Sequence, residues 1–290
     1  MKYIIFDCDS TVGLPGKPMD DALALLYLLG RPAEAEVLGI TCTFGNGTAG
    51  EVFASTSALL REIGRTGIPL LPGADREDDP RSDAARFIAD TIRARPGEIT
   101  LVAIGSLTNL YGAWLLDNTV FENIKEIVLM GGYTAPLLYH GQHLDELNFS
   151  VNPAAAACVL NQGRNISILT GNNTLAPSYL PRAEFAETMR GTYIAEKCGY
   201  RFDDQENRHG NAVSYCWDAV ATVYLLHPEL FDDVPTHCYV TEKGMHSGWL
   251  GVTEEAPDTC LLNLPTVKDA KAYRAEMYGG WLDFRLGGQA

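Results

Sequence analysis

The chain has 290 residues, 46% of them hydrophobic, and a formal net charge of −15. That length buries a sizeable core without disulfide staples, and no run of about 18 apolar residues marks a membrane span. An excess of carboxylates repels phosphate backbones and anionic lipid, so nucleic acid and membranes are excluded as partners, whereas a hard cation is favoured.

The N-terminus, Met1-Lys2-Tyr3-Ile4-Ile5-Phe6-Asp7, reaches an acidic residue after a short apolar run and lacks a signal-peptide pattern, which predicts a cytoplasmic protein. Tyr3–Asp7 reads as a buried strand and Ala22–Leu29 as a helix stopped by Gly30. The pattern continues with a strand at 37–44, a helix at 50–63, a strand at 68–71 and a helix at 83–94. Strand 99–104, helix 107–116, strand 124–130, helix 153–160 and strand 166–170 follow. Regular alternation of this kind predicts a right-handed, mostly parallel sheet with helices on both faces, an open Rossmann-like α/β fold. Beyond residue 175 the spacing loosens. A helix over 212–226, late and partly antiparallel strands near 238–242, 250–253 and 261–264, and a C-terminal helix over 270–286 are expected. One domain over 1–290 is the expected organisation, with functional loops at 10–19, 133–147 and 196–211. The seven cysteines stand singly, so neither a disulfide framework nor a zinc site is expected.

Asp7 and Asp9 close the first strand, and Asp20 and Asp21 open the first helix. Ligands in open α/β sheets bind beyond the carboxyl ends of the strands, so four carboxylates converge there. Helix capping accounts for one of them. The rest imply a cation, because unpaired buried charge is costly. Asp218, flanked by Cys216, Trp217, Ala219 and Val220, likewise needs a partner.

The stretch Asp7-Cys8-Asp9 … Asp20-Asp21-Ala22 resembles the signature of the inosine–uridine type nucleoside hydrolases. Further landmarks resemble that family in the same order: Gly45-Asn46, Gly105-Ser106-Leu107-Thr108-Asn109, Met130-Gly131-Gly132, Glu146-Leu147-Asn148-Phe149 and Trp217-Asp218. The resemblance spans residues 3–226. It implies Ca²⁺ held by Asp9, Asp21, Asp218 and the main-chain carbonyl of Leu129, with Asp9 also the general base. It implies Asp20, Asn46, Glu146 and Asn148 on the ribose hydroxyls, and Asp7 as a support behind them. The implied substrate is a small-molecule nucleoside cleaved to ribose and base, and the implied assembly is a homo-oligomer, dimer or tetramer.

The chain departs from the family pattern in four places. The segment between Asp9 and Asp20 is longer, residues 74–80 replace a longer stretch, Gly171-Asn172-Asn173-Thr174 replaces LDVT, and Trp217 stands where a proton-donating His is usual. A purine-specific subgroup resembles this chain in having Trp-Asp there. An indole cannot deliver a proton at neutral pH but stacks on a purine, so Trp217 is expected to hold and activate the base and purines to be preferred. His140, His143, His209 and Tyr215 remain as sources of a proton. Two alternatives stand beside this reading. Asp7-Cys8-Asp9-Ser10-Thr11 also resembles the haloacid-dehalogenase phosphatases, with Asp7 as nucleophile and Mg²⁺ as metal. A non-catalytic nucleoside or ribose binder is the other.

Overall fold

The computed structural model describes residues 1–139, 142–210 and 212–287. The first half alternates as its apolar periodicity dictates: β1 (Lys2–Cys8), α1 (Asp20–Leu29), β2 (Ala35–Cys42), α2 (Ala49–Glu62), β3 (Leu70–Leu71), α3 (Asp83–Ala94), β4 (Ile99–Ala103), α4 (Thr108–Leu116) and β5 (Glu126–Met130). Local chemistry sets the boundaries. Thr48 and Glu51 form a capping box at the start of α2, and Ser82 caps α3 through the Ala85 N–H. A short hairpin, β6 (Leu138–Tyr139) with β7 (Gln142–His143), precedes α5 (Pro153–Gln162), which starts with Pro behind an Asn152 cap.

The next stretch departs from expectation. After β8 (Ile166–Leu169) come α6 (Gly171–Ser178), β9 (Tyr179–Pro181), α7 (Arg182–Thr188), α8 (Tyr193–Cys198) and α9 (Tyr200–His209). The loop expected over 196–211 is therefore helical through His209. Its sequence is strongly polar, with Phe202 buried and Tyr200 packed beside it, so its narrow apolar stripe is too short to stand out. The helix expected from 212 begins only at Trp217. Val213–Tyr215, rich in strand formers, instead makes β10, antiparallel to β9, ahead of α10 (Trp217–Leu226). The chain then runs through β11 (Phe231–Asp232), β12 (Pro235–Tyr239), α11 (Glu242–Met245), β13 (Gly251–Thr253), β14 (Cys260–Asn263), β15 (Thr266–Val267) and α12 (Ala270–Asp283).

Among the described residues the main sheet has nine strands, in the order β13-β12-β14-β8-β5-β4-β1-β2-β3. Every pairing from β3 to β14 is parallel, and β12 runs antiparallel to both its neighbours. Alternate residues of each strand enter two separate cores. Ile4, Phe6 and Cys8 pack with α1, α10 and α12, whereas Ile5, Leu101, Leu129 and Ile168 pack with α3, α4 and α5. Both faces of the sheet are therefore covered, as continuously apolar strands require. The chain order reverses between β1 and β4, which opens a crevice at their carboxyl ends. No helix among the described residues is long and apolar enough to cross a membrane.

Candidate active site

Asp9 is the first residue beyond β1, at the reversal point. Asn46, beyond the end of β2, holds both of its carboxylate oxygens: the main-chain N–H donates to Oδ2 at 2.6 Å and Nδ2 to Oδ1 at 3.0 Å. The preceding Gly45 makes room, since a Cβ there would fall 2.1 Å from Asp9 Oδ2. Asp9's own N–H donates to Asp21 Oδ1 at 3.0 Å. Asp7 lies one layer deeper, where Thr41 Oγ1 and Asn109 Nδ2 both donate to its Oδ2, at 2.6 and 2.8 Å. Burial pushes the Asp7 carboxyl up to about 7 despite these donors. Asp7 and Asp9 are both wholly enclosed, and the acids that line the cavity itself are Asp20, Asp145, Glu146 and Asp218.

The first turns of α1 and α10 bring in the remaining acids. The two helices pack side by side, and Asp20, Asp21 and Asp218 each stand in a first turn, where the helix N-terminus favours negative charge. One carboxylate oxygen from each lies within 4.8 Å of the others. Exposure is only 7%, 1% and 4% respectively, and 0% for Asp9. Burial raises all four carboxyls above their ordinary range. Asp20 rises to about 6, and Asp21 and Asp218 rise further because the neighbouring carboxylates add repulsion. Among the described residues, Asp20 Oδ1 and Asp21 Oδ2 find no hydrogen-bond partner. Buried, unpartnered carboxylate oxygens in so tight a group fit a hard divalent cation, which takes oxygen ligands only. The tightest set is Asp20, Asp21 and Asp218, with Asp9 joined to it through Asp21; the sequence reading placed Asp9 in this set and Asp20 on the sugar. Leu129 is buried at the penultimate position of β5, with its side chain in the core shared with α4 and α5.

Above this floor lies a cavity of about 350 Å³. Asp20, Asn46, Glu146, Asn148, Trp217 and Asp218 all line it, between apolar walls from Pro18, Ile104, Met130, Leu137 and Leu144. Asn148 Nδ2 donates to the Ile104 and Met130 carbonyls at 3.0 and 2.9 Å, tying the ends of β4 and β5 together. Its amide oxygen is the atom left for a ligand. The Glu146 carboxylate accepts main-chain N–H groups from Gly132, Phe149 and Ser150, yet burial holds it up at about 6. Gly248, at φ +74°, leaves the room that carboxylate needs: a Cβ would lie 2.3 Å from Oε2. Trp217 stacks on Tyr215 with ring centroids 5.4 Å apart and planes 23° apart.

Two charged lining residues, Asp145 and Arg201, escaped the sequence reading. Arg201, on α9, faces the cavity and lowers the Asp20 carboxyl through its charge. A helix assignment at 200–209 would have revealed it, since that segment holds no Gly or Pro and several good helix formers. Of the histidines, His143 lines an adjoining cavity rather than this one, His209 closes α9 rather than lying in a loop, and His140 falls outside the described residues.

Residues 4–272 match the family model described as inosine-uridine preferring nucleoside hydrolase. The chain is 28% identical to the inosine-uridine preferring nucleoside hydrolase of Crithidia fasciculata, over 83% of this chain and 85% of that one. It is 27% identical to a pyrimidine-specific ribonucleoside hydrolase of Escherichia coli, over 85% and 84%. Among solved structures, a purine-preferring ribonucleoside hydrolase from Gardnerella vaginalis superposes with a TM-score of 0.81 at 21% identity, covering 97% of this chain and 98% of that one. A plant nucleoside hydrolase gives 0.83 at 20% identity, with coverage of 97% and 98%.

Proposed function

The chain belongs to the inosine–uridine preferring nucleoside hydrolase family and is a hydrolytic enzyme acting on nucleosides, and we propose that it is a Ca²⁺-dependent hydrolase preferring purine ribonucleosides. The observation that carries this reading is the group of three buried carboxylates, Asp20, Asp21 and Asp218, of which Asp20 and Asp218 line one small cavity together with the Trp217 indole.

Asp20, Asp21 and Asp218, with Asp9 beside them, would hold the cation, and the Leu129 carbonyl is the proposed main-chain ligand. When bound, such a cation supplies the positive charge that polarises water and orients a vicinal diol. Asn46 keeps Asp9 fixed, and Asp9 takes a proton from the attacking water. The oxygen of that water bonds to C1′ while the C1′–N bond breaks, its electron pair leaving with the base. The transition state resembles an oxocarbenium ion, which the surrounding anions stabilise. Asp20, Asn46, Glu146 and the Asn148 amide oxygen receive the sugar hydroxyls. Trp217, backed by Tyr215, stacks on the base, and the larger purine ring gains more from that contact than a pyrimidine.

The test is reducing-sugar release from a panel of purine and pyrimidine nucleosides, with and without a chelator. The expected result is chelator-sensitive release, faster from inosine than from uridine. Equal release after exhaustive chelation would remove the cation from this proposal.

A further inference from the structure

Residues 10–19, the segment longer than the family pattern, dock against α9. The Gly13 N–H donates to the Tyr200 hydroxyl at 3.0 Å, and the Gly16 N–H donates to Asp204 Oδ2 at 2.8 Å. Gly16 sits at φ +74°, and a Cβ on it would collide with the Arg208 guanidinium. The turn is thus moulded to the helix. From the same helix Arg201 donates Nη1 to the Gly16 carbonyl at 3.4 Å and reaches the cavity beside Pro18, Asp20 and Trp217. It is the sole cationic side chain lining that cavity among the described residues.

A guanidinium carries five N–H donors in a planar fork. Arg201 commits one of them, at long range, and among the described residues it makes no ion pair. Arg201 is half-buried, with the Asp20 carboxylate close enough to feel its charge, and the donors it turns toward the cavity are open to a ligand's acceptors. A base lying flat on Trp217 turns its edge, not its face, toward the rim. A 6-oxopurine carries two adjacent acceptors on that edge, O6 and N7, which match the guanidinium fork. A 6-aminopurine pairs an acceptor with a donor, and a pyrimidine linked through N1 has no adjacent acceptor pair on its far edge.

We propose that Arg201, oriented by the Gly16 carbonyl, reads the O6/N7 edge, so that 6-oxopurine ribonucleosides are the preferred substrates. This rests on the nucleoside-hydrolase reading of the cavity given above. It also makes residues 10–19 a specificity element.

The experiment measures kcat/KM for inosine, 7-deazainosine, adenosine and uridine with wild type, Arg201→Met and Arg201→Lys. Because each comparison is a ratio within one protein, partial loss of folded enzyme cancels. Wild type is expected to prefer inosine over adenosine by about tenfold to a hundredfold, the usual worth of a bidentate base contact. Arg201→Met should bring that ratio close to unity and abolish its sensitivity to the missing N7. Arg201→Lys, which keeps charge without the fork, should fall between. If Arg201→Met is inactive on every substrate, calorimetric binding of hypoxanthine and 7-deazahypoxanthine to wild type decides: tighter binding of hypoxanthine supports the proposal and equal binding overturns it. An inosine-to-adenosine ratio unchanged in Arg201→Met overturns it as well. A wild type that releases ribose from no nucleoside refutes the underlying function instead.

Discussion

Asn46 grips Asp9 at both carboxylate oxygens, once from its main chain and once from its side chain. A single residue, itself in the cavity lining, therefore fixes the orientation of the proposed base. Asp9→Asn is expected to lower kcat by roughly 10²–10⁴-fold, the usual contribution of general-base catalysis, while substrate binding changes far less. Asn46→Ala should act through Asp9, lowering kcat as well as raising KM. Single-turnover kinetics on inosine separates the two parameters, and wild-type turnover in Asp9→Asn would remove the base from the mechanism.

The acids on the floor repel one another when no cation is present. Millimolar Ca²⁺ should therefore raise the Tm of chelator-treated protein, by about 2.7 kcal/mol of stability at a concentration a hundred times Kd. Asp218→Asn relieves part of the repulsion. It should leave the cation-free protein at least as stable while erasing most of the gain from Ca²⁺. Thermal melts of both proteins with and without the ion check this, and a full gain retained in Asp218→Asn would exclude Asp218 as a ligand.

Trp217→Ala removes the indole wall but keeps the acidic floor. The expected loss is greater on inosine than on uridine, since stacking area scales with the ring. Aromatic stacking of this kind is worth about 1–3 kcal/mol per base, so a loss of tenfold or more on inosine is expected in kcat/KM. A variant that loses nothing on inosine removes Trp217 from base recognition.

Glu146 titrates near 6 because burial outweighs the N–H groups it accepts. Its carboxyl is raised, so the ionised form that can take a sugar hydroxyl is present above that value and is lost as pH falls through it. The acid limb of kcat/KM should therefore centre near 6. In Glu146→Gln that limb should be lost, with KM raised.

Gly248→Ala tests the same carboxylate without touching it. The new Cβ would meet Glu146 Oε2 at 2.3 Å and sit at φ +74°. The strained backbone costs about 1–2 kcal/mol, read as a lower Tm, and displacement of Glu146 should raise KM more than it lowers kcat. Unchanged KM would show that Glu146 does not touch the sugar.

The acidic floor was legible in the sequence because it rests on spacing: Asp9 at a strand end and Asp20-Asp21 at a helix start leave few places for those charges to go. The sheet was legible because β1, β4, β5 and β8 are continuously apolar. What stayed hidden depends on surface helices and long-range pairing. Helix α9 buries little apart from Phe202, so neither it nor Arg201 announces itself. Helix α6 contains Pro177 and opens with Asn172-Asn173, which read as a turn until the Thr170 cap and the Asn173 contacts to the Leu264 and Pro265 carbonyls are seen. Strand β10 exists only because residues 179–181 come alongside it.

Helix α1 is buried along almost its whole length, and its neighbour α10 is made from the far end of the chain. During synthesis Asp20 and Asp21 leave the ribosome long before Asp218 exists. Until α10 arrives, α1 can lie only on β1 and β2, and the apolar side that α10 covers must wait in water or in a chaperone. Long-range closures of this kind slow folding and expose sticky intermediates. Truncated nascent chains ending before residue 217 should therefore be protease-sensitive through α1, and release of the full chain should confer protection on both ends at once.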